Sequence, residues 1–238
     1  MKKRFYSMAG LLIVLMVLAA CGSDTGGDDT AVDSAYPAED TAVEEQEVVE
    51  DTGAEEQAAS TGGDFVIVGG ESSVRFLIDE VITGSQKTVV GETQSVEGTI
   101  TADYANASAA TISTITVDAG SFATDSSFRD KSIRNNILQS GQFPTITFTT
   151  TSISGLPDSV AVGDTVAVQV TGDLTIHGTT NQVTFDGSVT VVSDTELSGL
   201  LSLEITYADF GVQILRMPPD VASVADTVIL EIEFVARK

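Results

Sequence analysis

The sequence contains few of the residues from which metal, redox and disulfide sites are built. Its 238 residues include one Cys, one His and no Trp. A single Cys cannot close an internal disulfide, and one Cys with one His cannot complete the tetrahedral ligand set of a structural zinc site. These absences exclude a disulfide-stabilised scaffold and a zinc finger, and no motif indicates a metal or an organic cofactor.

Basic residues are also scarce, with 11 Lys and Arg against 35 Asp and Glu and a formal net charge of −24. Proteins that bind nucleic acids carry a basic surface that displaces counterions from the phosphates. The composition therefore argues against nucleic acid as a partner. After Lys2, Lys3 and Arg4, no Lys or Arg occurs before Arg75, so the chain is divided into segments of different character.

Residues 1–20 have the order of a secretory signal. A basic start is followed by an apolar run from Leu11 to Leu18 and by the small residues Ala19 and Ala20. The apolar run is shorter than the roughly 20 residues that span a bilayer. We therefore predict a signal peptide rather than a permanent transmembrane helix.

Cys21 follows in the sequence Leu-Ala-Ala-Cys-Gly, which resembles the lipobox of bacterial lipoproteins. The resemblance implies that Cys21 carries a diacylglyceryl group and a further acyl chain such as palmitate, which together anchor a protein stably. The alternative is an incidental Cys at an ordinary cleavage site. We expect an extracytoplasmic protein attached through Cys21 to a bacterial cell membrane, on its periplasmic or outer surface.

Residues 21–63 form an acidic linker. From Gly22 to Gly63 there are 13 acidic residues and no basic residue, among many Gly, Ser, Thr and Ala. Such a segment buries too little apolar surface to offset the entropy of ordering, so disorder is predicted. A flexible chain of this length reaches about 35 Å. A calcium-binding role is the sharper alternative to a spacer, but no Asp-x-Asp-x-Asp-Gly loop occurs.

Residues 64–238 show the two-residue alternation of β-strands. Apolar side chains recur at every second position, as in Val166, Val168 and Val170, with Thr, Ser, Asp and Glu between them. Gly, Asn and Asp mark frequent turns. We predict an all-β domain of about eight antiparallel strands, arranged as a closed barrel or a sandwich.

One interval, residues 125–139, departs from this alternation. Its apolar residues are spaced as in a helix, it begins at a capping candidate, Asp125, and it ends before Gly141 and Pro144. We predict a short helical segment that covers an open barrel end as a lid. It contains three of the eight basic residues of the domain: Arg129, Lys131 and Arg134. These arginines could face a ligand head group or form salt bridges with the acidic domain.

The sequence lacks the common catalytic motifs. The sequence contains no Gly-x-Ser-x-Gly elbow, no phosphate-binding Gly-Lys-Ser/Thr and no Gly-x-Gly-x-x-Gly. His177 is the one candidate imidazole base, and its position at a strand end before Gly178 favours a structural role. The carboxylates of Asp79, Glu80, Glu231 and Glu233 are expected on outward, solvated positions. The sequence favours a binding protein over an enzyme.

Several ordered motifs resemble the YceI-like polyisoprenoid-binding family. They are Phe122, Arg129-Asp130 with Arg134, Phe143-Pro-Thr-Ile-Thr-Phe148, Val170-Thr-Gly-Asp-Leu-Thr-Ile-His-Gly-Thr-Thr180, Val183-Thr-Phe185 and Asp209-Phe-Gly211. The resemblance implies an eight-stranded antiparallel lipocalin-like barrel that holds a long isoprenoid chain, such as that of a quinone or a polyprenol.

The sequence departs from the family pattern at three places where a head group could enter. Ser132 replaces a common His, Ile137-Leu138 replaces a Phe pair, and the first strand reads Phe76 to Glu80 where many members have Lys-His.

The hypothesis for the ligand is that inward apolar side chains line one elongated cavity. The residues concerned are Phe76, Ile78, Phe128, Ile133, Ile137, Phe148, Val168, Phe185, Leu203 and Phe234. The same side chains could instead form a plain core, because barrels of this size are often filled. The predicted function is a membrane-anchored lipid-binding protein that transports, stores or sequesters an isoprenoid-like amphiphile. The alternative is an anchored interaction or envelope-stress domain with a solid barrel.

Overall fold

The computed structural model describes residues 62–214 and 221–238. The predicted signal peptide, Cys21 and nearly all of the predicted linker lie outside these residues. The strands are β1 (Gly63–Ile67), β2 (Ser73–Ile82), β3 (Ser85–Thr93), β4 (Val96–Glu97), β5 (Thr99–Ala102), β6 (Thr111–Ile112), β7 (Ile115–Asp118), β8 (Thr145–Ser154), β9 (Thr165–Ile176), β10 (Thr179–Ser193), β11 (Glu196–Thr206), β12 (Val221–Val224) and β13 (Thr227–Arg237).

The described helices are short. They are the α-helix α1 (Ser127–Ser132), a π-helical turn that continues it (Ile133–Ile137), and 3₁₀ helices at Gly69–Glu71, Tyr104–Ala109 and Tyr207–Phe210. No helix among the described residues is both long and apolar enough to cross a membrane. The chain is therefore an all-β protein with one short α-helix in its described part, as the alternation predicted.

The strands form because apolar and polar side chains alternate along them. In β9, Val168, Val170 and Leu174 are buried while Gln169 and Asp173 are exposed. One face of the strand is thus covered by the rest of the sheet and the other meets water. The hairpin from β9 to β10 turns at His177 and Gly178, which both have positive φ values of 51° and 76°. A two-residue turn of this kind matches the twist of the paired strands.

The sheet is antiparallel and curled. Strands β7, β8, β9, β10, β11 and β13 pair in that order, and β13 pairs with β2 at one end and β1 at the other. Strand β2 pairs with β3, and β1 with β5. Strand β4, which follows β3 in the chain, pairs with β7 at the far edge, and the sheet curls into a half-barrel. The described sheet has 13 strands, whereas about eight were expected. The count is higher because short helices and unpaired residues divide the extended segments of the chain into shorter strands.

The helical segment lies where the sequence predicted it, with one correction. The residue that caps α1 is Ser126, whose side chain accepts a hydrogen bond from the backbone N–H of Arg129. Asp125, the predicted cap, accepts hydrogen bonds from Lys87 and Arg129 instead. We call residues 125–139 the lid, since they line one end of the interior of the sheet.

Candidate ligand cavity

The curled sheet encloses a cavity of about 760 Å³, which we call the large cavity. Its inner wall is apolar and comes from several strands, with Phe148 of β8, Leu174 of β9, Phe185 of β10 and Ile232 of β13. Phe148 and Phe185 pack edge to face, with ring centroids 5.0 Å apart. The interior of the domain is therefore not filled by its own side chains.

The structure places seven of the ten predicted ligand-binding residues on the wall of the large cavity: Phe76, Ile78, Phe128, Ile133, Ile137, Phe148 and Phe185. They come from β2, the lid, β8 and β10, which are far apart in the sequence. Contact of these residues with a ligand stays a prediction.

The other three predicted residues do not line this cavity. Val168 and Phe234 line a second, small cavity of about 70 Å³. Leu203 lines neither cavity and packs, half-buried, against the core. The expectation of one elongated cavity is wrong for these residues, because the interior is divided and no residue lines both parts. Alternation identifies which residues of a strand point inward. It does not identify which of the two cavities an inward residue lines.

Two phenylalanine rings on the wall of the large cavity pack closely against glycines of neighbouring strands. Gly91 of β3 lies directly opposite Phe76 of β2, and a Cβ atom at Gly91 would lie 2.0 Å from that ring. A Cβ atom at Gly172 would lie 2.8 Å from the ring of Phe148. Each ring thus occupies the space that a side chain on the neighbouring strand would need. Both rings lie on the wall of the large cavity, packed against the sheet.

The lid end of the large cavity carries polar groups beside the apolar side chains of the lid. Glu80 of β2 lines the cavity with a side chain that is 11% exposed, and its carboxylate lies 3.4 Å from Nη2 of Arg129. Ser126, Asn135 and Asn136 of the lid also line this end. The cavity therefore has an apolar interior and, at its mouth, polar groups beside apolar ones, which is an arrangement that fits an amphiphile.

The expected outward position of Glu80 is wrong. Glu80 shares the inward face of β2 with Phe76 and Ile78, as two-residue alternation requires. It is tolerated there because Arg129 neutralises it. The alternation of β2 was itself the signal that could have identified this residue.

The other three carboxylates lie outward, as expected. Asp79 is exposed and accepts a hydrogen bond from Thr88 at 2.6 Å. Glu231 and Glu233 pair with Arg75 across the outer surface, at 3.2 and 2.7 Å.

The basic residues of the lid have different partners. Arg129 pairs with Asp125 and Glu80, so it forms salt bridges within the acidic domain. Nε of Arg134 donates a hydrogen bond of 2.8 Å to the carbonyl oxygen of Gly120. The hydrogen bonds from Lys87 and then from Arg129 hold the pKa of Asp125 below its ordinary value of 3.8. Asp125 thus joins the lid to β3.

The link through Asp125 predicts a loss of stability in acid. A carboxyl whose pKa is lowered by folding stabilises the protein above its unfolded pKa, and this contribution is lost as the pH falls through the lowered value. We expect Asp125→Asn to have a lower free energy of unfolding than the wild type above about pH 5. The difference should shrink towards zero in more acidic solution. Urea titrations of both proteins at several pH values measure this difference in free energy of unfolding. A difference that does not change with pH would contradict the lowered pKa of Asp125.

His177 lies apart from the large cavity. Its ring packs against Phe143 with centroids 4.4 Å apart, and its Nε2 atom is buried without a hydrogen-bond partner in the described part of the chain. A Cβ atom at Gly178 would lie 2.6 Å from the Phe143 ring. The His-Gly turn is thus packed tightly against the residues that precede β8, which is a structural role.

Sequence comparison identifies the family of this domain. The sequence model described as the YceI-like domain matches residues 65–236. The chain belongs to the YceI-like family. The match covers every strand of the large cavity, so the cavity described above is part of a YceI-like domain.

Curated relatives of this YceI-like chain include proteins of Vibrio and Salmonella species. A UPF0312 protein of Vibrio vulnificus is 29% identical over 129 residues, which are 53% of this chain and 62% of that protein. Protein YceI of Salmonella newport is 30% identical over 122 residues, which are 51% of this chain and 58% of that protein. The matched part thus spans about three fifths of each relative.

Solved structures show the same fold. A polyisoprenoid binding domain from Saccharophagus degradans, implicated in plant cell wall breakdown, aligns with a TM-score of 0.56 and 18% identity, covering 74% of this chain and 98% of that one. BcnA of Burkholderia cenocepacia aligns with a TM-score of 0.57 and 20% identity, covering 71% and 98%. At these identities the likeness establishes the curled antiparallel fold.

Proposed function

We propose that this YceI-like domain binds one long isoprenoid-type amphiphile in the large cavity, without changing it chemically. The observation that carries the proposal is the unfilled apolar space of about 760 Å³ with a few polar groups at its mouth. Small-molecule sites are typically cavities of about 300–1,000 Å³ with apolar walls and a few polar groups. The likeness in fold to the polyisoprenoid binding domain of Saccharophagus degradans supports the same class of ligand.

The size of the cavity sets the length of chain that fits. An apolar cavity of about 150 Å³ holds a six-carbon aromatic ring. A cavity of about 760 Å³ is therefore large enough for on the order of 30 carbon atoms. Such a chain is long enough for several isoprene units, as in the tail of a quinone or a polyprenol.

The polarity of the wall sets the orientation of the ligand. We propose that the tail lies against Phe148 and Phe185 and that the head group lies at the lid, near Glu80 and Arg129. Burying the tail releases apolar surface from water, while the head group keeps its hydrogen bonds at the mouth. The packing of the described residues gives no support to the alternative of a solid interaction domain.

Native mass spectrometry with organic extraction tests the proposal. Residues 64–238 are secreted without the lipid anchor and analysed directly, since a bound lipid survives gentle ionisation. We expect a co-purifying mass in the range of a polyprenyl lipid. A protein that carries no lipid, and still carries none after incubation with isoprenoid quinones, would refute the proposal.

We also propose that the chain is a lipoprotein of the bacterial envelope, held outside the cytoplasm by Cys21. The support is the lipobox-like sequence after a signal-type leader. An acidic linker that reaches about 35 Å would let the domain meet the membrane that supplies an isoprenoid lipid.

Substitution of Cys21 tests the anchor. Radiolabelled palmitate is expected to enter the wild-type chain but not Cys21→Ser, because the acyl chains attach at this residue. The variant should also keep the mass of the uncleaved precursor in whole-cell extracts. Equal labelling of both chains would show that Cys21 is not the acceptor.

A further inference from the structure

The lid carries the most exposed large apolar side chain of the described residues. Phe128 is 71% exposed and at the same time lines the large cavity. Phenylalanine at such exposure leaves much of its ring in water, and it points to a contact surface where it joins other apolar side chains in one patch. The apolar wall of the cavity therefore continues outward onto the lid.

Phe128 belongs to an apolar rim around the mouth. Ile82, at the end of β2, and Val221, opposite it on β12, line the cavity and are half-buried, as is Val224. The salt bridge from Arg129 to Glu80 holds the lid beside this end of β2. We call Ile82, Phe128, Val221 and Val224 the apolar rim.

The charge of the lid differs from that of the rest of the domain. Residues 64–238 contain 22 acidic and eight basic residues, yet three of the eight basic residues lie in the lid. Lys131 and Arg134 are exposed. Of the two lid acids, Asp125 is engaged by Lys87 and Arg129, and Asp130 accepts hydrogen bonds from the backbone and side chain of Thr124 at 2.8 and 2.7 Å.

We infer that the lid and the apolar rim dock on an anionic phospholipid bilayer. Phe128 inserts at the boundary between head groups and acyl chains, and Lys131 and Arg134 lie at the phosphates. Apolar and aromatic side chains combined with lysine and arginine are what interfacial binding requires. The acidic remainder of the domain is repelled by the same surface, which fixes the orientation of the barrel with its mouth towards the membrane.

Docking in this orientation places the mouth of the large cavity against the medium in which an isoprenoid lipid dissolves. A ligand tail could then pass between bilayer and cavity without crossing water, which lowers the cost of transfer. This transfer step rests on the proposed function. The docking itself does not, since a bilayer without isoprenoid is sufficient to measure it.

The absence of tryptophan from the sequence allows a direct test. In the chain from Gly22 to Lys238, Phe128→Trp introduces a single tryptophan whose fluorescence reports on its surroundings. Val192→Trp places a matched tryptophan on β10, where Val192 is 44% exposed. The probes are vesicles of phosphatidylglycerol and phosphatidylethanolamine, with phosphatidylcholine vesicles as the neutral control. We expect a blue shift, and quenching by brominated acyl chains, for the reporter at position 128 on anionic vesicles.

Two further variants separate the apolar and charged contributions. Phe128→Ser is expected to weaken binding to anionic vesicles about tenfold in a flotation assay, and Val192→Ser to leave it unchanged. The double variant Lys131→Glu/Arg134→Glu should abolish the preference for anionic lipid. The control Lys238→Glu reverses a charge near β1, away from the lid, and should keep that preference. Circular dichroism verifies the fold of each variant.

The inference is overturned if the wild-type chain does not bind anionic vesicles, or if both reporters respond alike. A lipid-loaded protein that fails to dock would leave the proposed function intact and refute only the docking surface. A chain that docks but never carries a lipid would refute the proposed function and leave the docking surface intact.

Discussion

Replacing Phe148 with tryptophan is expected to lower the affinity for an isoprenoid lipid by about tenfold or more while the β-type circular dichroism is retained. Phe148 is buried in the wall of the large cavity, in edge-to-face contact with Phe185. Its ring already lies against Gly172, so a larger indole can expand only into the cavity. Titration with an isoprenoid quinone, followed by native mass spectrometry, measures the change.

Phe148→Leu is the matched control for this experiment. It removes ring volume from the same position, so the cavity becomes larger rather than smaller and binding should persist. Equal affinity of the tryptophan and wild-type proteins would contradict the assignment of the large cavity as the ligand site. Unfolding of the tryptophan variant would indicate that the position belongs to a close-packed core.

Replacing Gly91 with alanine is expected to lower the free energy of unfolding by about 1–3 kcal/mol. The added Cβ atom would lie 2.0 Å from the ring of Phe76, which is too close for the ring to stay in place. The ring must move away from β3 and into the large cavity, so the affinity for the lipid should fall as well. Urea unfolding followed by circular dichroism, together with lipid titration, measures both effects.

Gly70→Ala is the control, because a Cβ atom at Gly70 meets nothing within 4 Å. We expect this variant to resemble the wild type in both measurements. The double variant with Gly91→Ala and Phe76→Leu should recover part of the lost stability, since the smaller side chain makes room for the new methyl group. If Gly91→Ala is as stable as Gly70→Ala, the position of the Phe76 ring does not require a glycine at position 91.

Much of the fold followed from local sequence patterns. The alternation in β9 predicted an antiparallel all-β domain, and the helical spacing in residues 125–139 predicted the one short α-helical segment. The family was also recognisable from its ordered motifs, among them the stretch around His177-Gly178, which forms a hairpin turn. These features depend on neighbours a few residues apart.

The site was predicted less completely. Alternation placed Phe76, Phe148 and Phe185 on the inner wall, but it could not separate them from Val168 and Phe234, which line the small cavity. Glu80 was missed because a carboxylate in a barrel interior is costly without a partner. Its partner, Arg129, is 49 residues away in the sequence.

The sequence by itself determined the all-β class, the place of the lid and the scarcity of metal and redox ligands. Only the tertiary structure decided that the barrel is hollow, how its interior is divided, and that Glu80 faces Arg129 at the mouth. The physical reason is the range of the interactions. Strand alternation is a property of adjacent residues, whereas a cavity exists only where side chains from distant strands, such as Phe76 and Gly91, leave space between them.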